Sequence, residues 1–135
     1  GVSTSPPPKL AISFSWLKPH SKISSQILVG IAEEKYHLAT QLLDFAGPIE
    51  DLSPESKNVR WLAADMLHAA VDLDPTEFKY YRDLFLTYMI LQEPVKAMEA
   101  IEPAGNTPSL SDEVAEFQSL VFGALEYTSM VESGG

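Results

Sequence analysis

Prolines divide this chain into pieces of helix length. Pro48 follows Gly47, Pro54 follows Ser53, Pro75 follows Asp74, Pro94 follows Glu93, and Pro103 and Pro108 flank a run of breakers. A proline lacks a backbone donor and its ring crowds the preceding turn, so it starts a helix or ends one. Between these points apolar residues recur at spacings of three and four, the period of one helix face. Such a chain is confined to an all-α fold of about five helices joined by short connections. Short connections favour antiparallel neighbours, hence an array of α-hairpins.

The first helical run begins at about Ser21. Ile23, Ile27, Ile31, Leu38, Leu42 and Phe45 form its stripe, widened by Leu28, Ala32, Ala39 and Leu43, and Gly47-Pro48 stops it. Ser53 is the expected N-cap of the next helix, with Pro54 in the first turn. Its predicted stripe is Val59, Leu62, Met66, Ala70 and Leu73, joined by Trp61 and Ala63. At Asp74-Pro75-Thr76-Glu77 a capping box is expected, with Asp74 as cap and Glu77 closing it. The helix predicted from Pro75 to Leu91 carries Phe78, Tyr81, Phe85 and Tyr88 on one face and Tyr80, Leu84 and Leu91 on another. A helix apolar on most of its circumference is central. Pro94 starts a short helix with Val95, Ala97, Met98 and Ile101, which is expected to end at Pro103. Ser109 is expected to open the last helix, with Asp112 as a box partner and Val114, Phe117, Val121, Ala124 and Leu125 as its stripe.

The domain reading is an extended arm over residues 1–20, one helical domain over 21–132 and a fraying tail over 133–135. Pro6, Pro7 and Pro8 favour a polyproline-like conformation. In "LAISFSWL", Ile12, Phe14 and Trp16 alternate with Ser13 and Ser15 at strand spacing. No second strand pattern is there to pair with it. The segment is read as an arm that lays Phe14 and Trp16 on the helical body; the rival reading is an edge that binds another chain.

Charge narrows the partners. The net charge of −10 opposes non-specific binding to nucleic acid or an anionic membrane. Residues 1–32 hold Lys9, Lys18 and Lys22 but no acid, and residues 97–135 hold seven acids but no Lys or Arg. The acidic end is read as a solvated surface, or as a recruiter of a basic partner. No apolar run is long enough to span a membrane. No secretory signal is visible. The Ser/Pro-rich start has the composition of the end of an organelle transit segment, with a cloning remnant at Gly1 as the alternative. Location is left open, as a soluble intracellular protein of the cytoplasm or of a plastid or mitochondrial matrix.

Catalytic motifs are sparse. The chain has no cysteine, which excludes thiolate nucleophiles, disulfides and Cys-based zinc sites. No G-x-x-x-x-G-K loop or G-x-S-x-G elbow occurs. Glu34/His37 and Asp65/His68 each have carboxylate-x-x-His spacing, which recurs in helical di-metal sites. Such sites need two further carboxylates, and the structural reading, polar faces in water, is preferred. Asp72 and Asp74 are read as helix-end residues, and Trp61 with the tyrosines as core. No cofactor and no metal is expected.

Residues Trp61 to Ile101 resemble a tetratricopeptide repeat, a helix–turn–helix unit of about 34 residues. Ala63, Leu67, Ala70 and Pro75 match the end of one unit; Tyr81, Leu84, Tyr88, Ala97 and Ile101 match the next. Phe85 departs from the family's small residue, and the connection from Gly47 to Ser53 is longer than its tight turn. The resemblance implies a concave face carrying Lys79, Arg82, Leu86, Met89 and Ile90. In chaperone-binding members, Lys and Asn side chains clamp a C-terminal carboxylate. Leu86 stands where that asparagine would be, so a mixed apolar and basic groove for a peptide or helix is expected instead. The functional expectation is a non-enzymatic interaction module, adaptor or assembly chaperone binding a protein partner, with self-association allowed. The alternatives are a small-molecule or metal site at the Glu34/His37 and Asp65/His68 pairs, or a piece of a longer solenoid scaffold.

Overall fold

The computed structural model describes residues 22–134. Among these the chain forms five α-helices and one 3-10 turn, and no strand. The helices are α1 (Lys22–Ala46), α2 (Pro54–Leu73), α3 (Phe78–Ile90), α4 (Pro94–Gly105) and α5 (Ser111–Gly134), with the turn at Pro108–Leu110. The arm over residues 1–20, with Phe14 and Trp16, lies outside the described residues, as does Gly135 of the expected tail.

α1 and α2 meet along small side chains. Ala32, Ala39 and Ala46 recur every seven residues on α1, and Ser56, Ala63 and Ala70 every seven on α2; all are buried. The Ser56 hydroxyl donates to the Ala46 carbonyl. Ala39 shares a cluster with Ala63, and Ala32 shares another with Ala70. The two helices thus run antiparallel with their small faces opposed. Small residues at the contact bring helix axes close together.

This seam corrects both predicted stripes. Ile27, Leu38 and Phe45 of α1 are exposed, as is Leu62 of α2. Leu42, Leu43, Trp61 and Met66 sit at the flanks, partly buried against the core. The reading followed the largest apolar residues, whereas closest approach selects the smallest.

Ser53 caps α2 as expected, its Oγ accepting from the Ser56 N–H at 3.3 Å, and Pro54 begins the helix. The next junction differs from the expected capping box. Asp74 is the C-cap of α2, its N–H bonded to the Ala70 carbonyl. Its carboxylate accepts from the Thr76 N–H at 3.3 Å and the Thr76 hydroxyl at 2.8 Å, which holds a turn through Pro75. The Tyr81 hydroxyl donates to the Pro75 carbonyl at 2.7 Å. α3 begins at Phe78, not Pro75, and its N-cap Glu77 makes no side-chain cap bond. The aspartate serves the helix behind it because an Asx-type turn competes with the capping geometry.

α3 is central as predicted: Phe78, Tyr80, Tyr81, Leu84, Phe85, Thr87 and Tyr88 are buried around it. It closes in a Schellman motif, with the Glu93 N–H on the Tyr88 carbonyl and the Gln92 N–H on the Met89 carbonyl. Gln92 takes the left-handed position at φ 63° where glycine is usual. α4 packs back on α3 through Ala97, Ala100, Ile101 and Ala104. It continues through Pro103 to Gly105, where the sequence pattern ended it. Pro103 offers no N–H to the preceding turn, but it stands in the last turn and costs a single bond, while buried Ala104 holds that turn down. Ser109 falls inside the 3-10 turn, so α5 opens at Ser111, whose hydroxyl donates to the Pro108 carbonyl. Phe117 of α5 meets Phe78 and Phe85 edge-on, at centroid distances of 5.8 and 5.4 Å. Val114 is buried beside them, while Ala124 of the predicted stripe is exposed.

Candidate functional site

α1 and α3 lie side by side. Glu33 pairs with Lys79 and Tyr36 with Asp83, at sequence separations of 46 and 47. A nearly constant separation means that the two helices run parallel, as first helices of successive hairpins do. Their shared edge holds most of the residues predicted for the groove.

The polar half of this edge is internally paired. Lys79 Nζ lies 2.9 Å from Glu33 Oε1 and 3.7 Å from Glu77 Oε1, and 4.8 Å from the centre of the Tyr36 ring. The hydrogen bond from Lys79 holds the Glu33 carboxyl below the usual carboxylate range. Arg82 Nε donates to Asp83 Oδ1 at 2.9 Å, and the Tyr36 hydroxyl donates to Asp83 Oδ2 at 2.6 Å. Burial, helped by the Asp83 carboxylate, pushes Tyr36 up to about 12. Both predicted cations are therefore already engaged by acids of the same fold, and the excess positive charge expected of the groove is absent there.

The apolar half is an open cleft of about 240 Å³, lined by Leu43, Gly47, Ile49, Arg60, Asp83, Leu86, Thr87 and Ile90. Leu86 is 42% exposed and Met89 41% exposed. Of the predicted residues, the structure brings Leu86 and Ile90 into this cleft; Met89 is exposed on the same helix without lining it.

Arg60 organises the cleft wall. It is 2% exposed and donates to the carbonyls of Gly47, Pro48 and Asp51. These carbonyls belong to the connection that follows α1, so one guanidinium ties that connection to α2. Gly47 permits the turn with φ 88°. The sequence reading passed over Arg60. Its signal was position: it stands between Ser56 and Ala63 on the small-residue face, where a cation is out of place unless it has partners.

The carboxylate/histidine pairs stay apart. Glu34 and His37 are exposed on α1, beside a depression of about 430 Å³ lined by Glu33, Glu34, His37 and Leu38. His37 contacts Gln41 at 3.3 Å. On α2, His68 Nε2 contacts the Tyr88 hydroxyl at 2.7 Å, and Asp65 is exposed. Among the described residues, no group of three or more His, Asp or Glu side chains is arranged to hold a metal ion. Trp61 packs edge-on against Tyr88 at 5.8 Å, as part of the core. No helix among the described residues is long and apolar enough to cross a membrane.

Comparison with protein-family models, curated proteins and solved structures returned no match for this chain.

Proposed function

We propose that this chain is a non-enzymatic helical-repeat module that binds a segment of a protein partner in the groove between α1 and α3. One observation carries the reading: the cleft beside Leu86 and Ile90 is apolar and open, while the charged groups around it are already paired. Asp83 is held by Tyr36 and Arg82, and Arg60 by three carbonyls. What the groove offers a ligand is apolar surface on a fixed frame. At about 240 Å³ the cleft lies below the roughly 300–1,000 Å³ of small-molecule pockets, and suits one large side chain of a partner. A partner helix or extended peptide would seat such an anchor between Leu43 and Leu86, with Met89 as a second apolar contact.

The α3–α4 hairpin supports the tetratricopeptide-like reading. Ala97 is fully buried at the expected helix–helix contact, and Leu84, Tyr88 and Ile101 surround it in the core. A carboxylate clamp is not part of the proposal, because Lys79 and Arg82 have acidic partners.

Selection of displayed random peptides against the unmodified chain tests the groove. Enriched peptides should share a large apolar anchor, and Leu86→Asp or Met89→Asp should weaken them at least about tenfold, the effect of about 1.4 kcal/mol. Peptides that bind both variants as well as the unmodified chain would place recognition elsewhere.

A further inference from the structure

The charges that line the cleft are paired, but those on the rim at one end of the groove are not. The separation of 46 to 47 residues that sets Lys79 against Glu33 and Asp83 against Tyr36 puts Ile90 level with Asp44. Asp44 lies about three turns beyond Glu33, so the two stand on one face of α1. Glu33 meets a lysine of α3, whereas Asp44 stands level with an isoleucine. Asp44 and Glu50 are exposed, and no cation among the described residues pairs with either.

The helices make this end more negative still. α1 ends at Ala46 and α3 at Ile90, so the two parallel helices bring both C-terminal ends to the same place. A helix C-terminus carries a partial negative charge, which a basic residue in the last turn offsets. Neither helix has one. From Asp44 to Asp51 the chain holds three acids and no Lys or Arg, and from Leu84 to Glu93 it holds one acid and no Lys or Arg. Arg60 is the nearby cation, and it is buried against the carbonyls of the connection. One buried guanidinium is outnumbered by four carboxylates and two helix ends.

We propose that the groove selects a basic segment of a protein partner: a large apolar anchor in the cleft, with a Lys or Arg close to it that binds at Asp44 and Glu50. The inference rests on the groove reading above, and adds which chemistry flanks the anchor and at which end. Leu43 and Ile49 line the cleft and are the sequence neighbours of Asp44 and Glu50, so the cation stands close to the anchor along the partner. A cation here gains from carboxylates and helix ends at once; an acidic segment would be repelled by both. The net charge of −10 also steers a basic segment inward and opposes a second copy of this chain as the occupant.

Peptides selected from a random displayed library against the full chain can be sorted by Leu86→Ser. Those that lose binding are groove ligands, and should carry Lys or Arg beside the anchor far more often than Asp or Glu. For one such peptide, made synthetically, Asp44→Lys with Glu50→Lys should weaken binding about tenfold, and added salt should weaken binding to the unmodified chain. Circular dichroism of this double variant should be unchanged, because both residues are exposed. The same peptide with Glu in place of its basic residue should reverse the preference and bind the double variant better. Groove ligands with no basic bias, or with an affinity indifferent to the double variant, would overturn this inference and leave the groove reading standing. A library in which no binder depends on Leu86 would overturn the groove reading, and this inference with it.

Discussion

Two side chains show how differently a buried polar group is treated in this molecule. Arg60 is buried with three carbonyl partners, and so stabilises the α1–α2 connection. Tyr80 is fully buried, and its hydroxyl meets no hydrogen-bond partner. Burial first, then the nearby Glu33 carboxylate, hold that hydroxyl well above the usual tyrosine range, yet no hydrogen-bond geometry joins the two. Its ring packs on Tyr36 at 5.2 Å. An unmet buried hydroxyl costs stability that its ring packing does not return. Tyr80→Phe keeps the ring and removes the hydroxyl, so it should raise unfolding free energy by about 1 kcal/mol. A denaturant midpoint that falls in this variant would show that the hydroxyl does have a partner.

At the scale of elements, the number and order of the helices were legible because proline, serine and glycine mark their ends chemically. Which face is buried was not, on α1 and α2. Leucine and phenylalanine weigh most in any apolar pattern, yet the tightest contact in the hairpin is made by alanine and serine. On α3 the reading held, since the faces named in sequence are those that are buried. Two residues named from sequence, Leu86 and Ile90, line the cleft, as their shared face of α3 dictates. The pairings beside it were not legible: Tyr36–Asp83 joins residues 47 apart on two helices, and no local spacing marks such a pair. The seam makes a direct prediction. Ala63→Leu should overpack it and destabilise by about 1–3 kcal/mol. Leu62→Ala, one residue away and exposed, should stay within about 0.5 kcal/mol. Equal costs for the two in chemical unfolding would mean that the small residues are not the packed face.

Across the whole molecule, the tyrosines form a shared response to alkali. Burial raises the hydroxyls of Tyr36, Tyr80, Tyr81 and Tyr88 above their ordinary value of 10.0. The unfolded chain loses these protons near pH 10 and the folded chain holds them longer, up to about 12 for Tyr36. Their stabilising contribution is therefore complete below that unfolded value and is lost as pH climbs through the folded one. Thermal midpoints should not change on their account from neutrality to about pH 9, then fall steeply as tyrosinate absorbance appears. Tyrosinate forming well before any loss of helix would show that these rings are open to hydroxide in the fold.

The α1–α2 seam also orders events in time. It joins neighbours in sequence, across a connection of residues 47–53 that Arg60 holds in place. Contacts this local need little loop closure and form early. The second wall of the groove, on α3, must instead reach α1 across 47 residues for Tyr36 to meet Asp83. The α3–α4 hairpin, closed across residues 91–93, is as local, so the surface proposed for partner binding is completed only where the two hairpins dock.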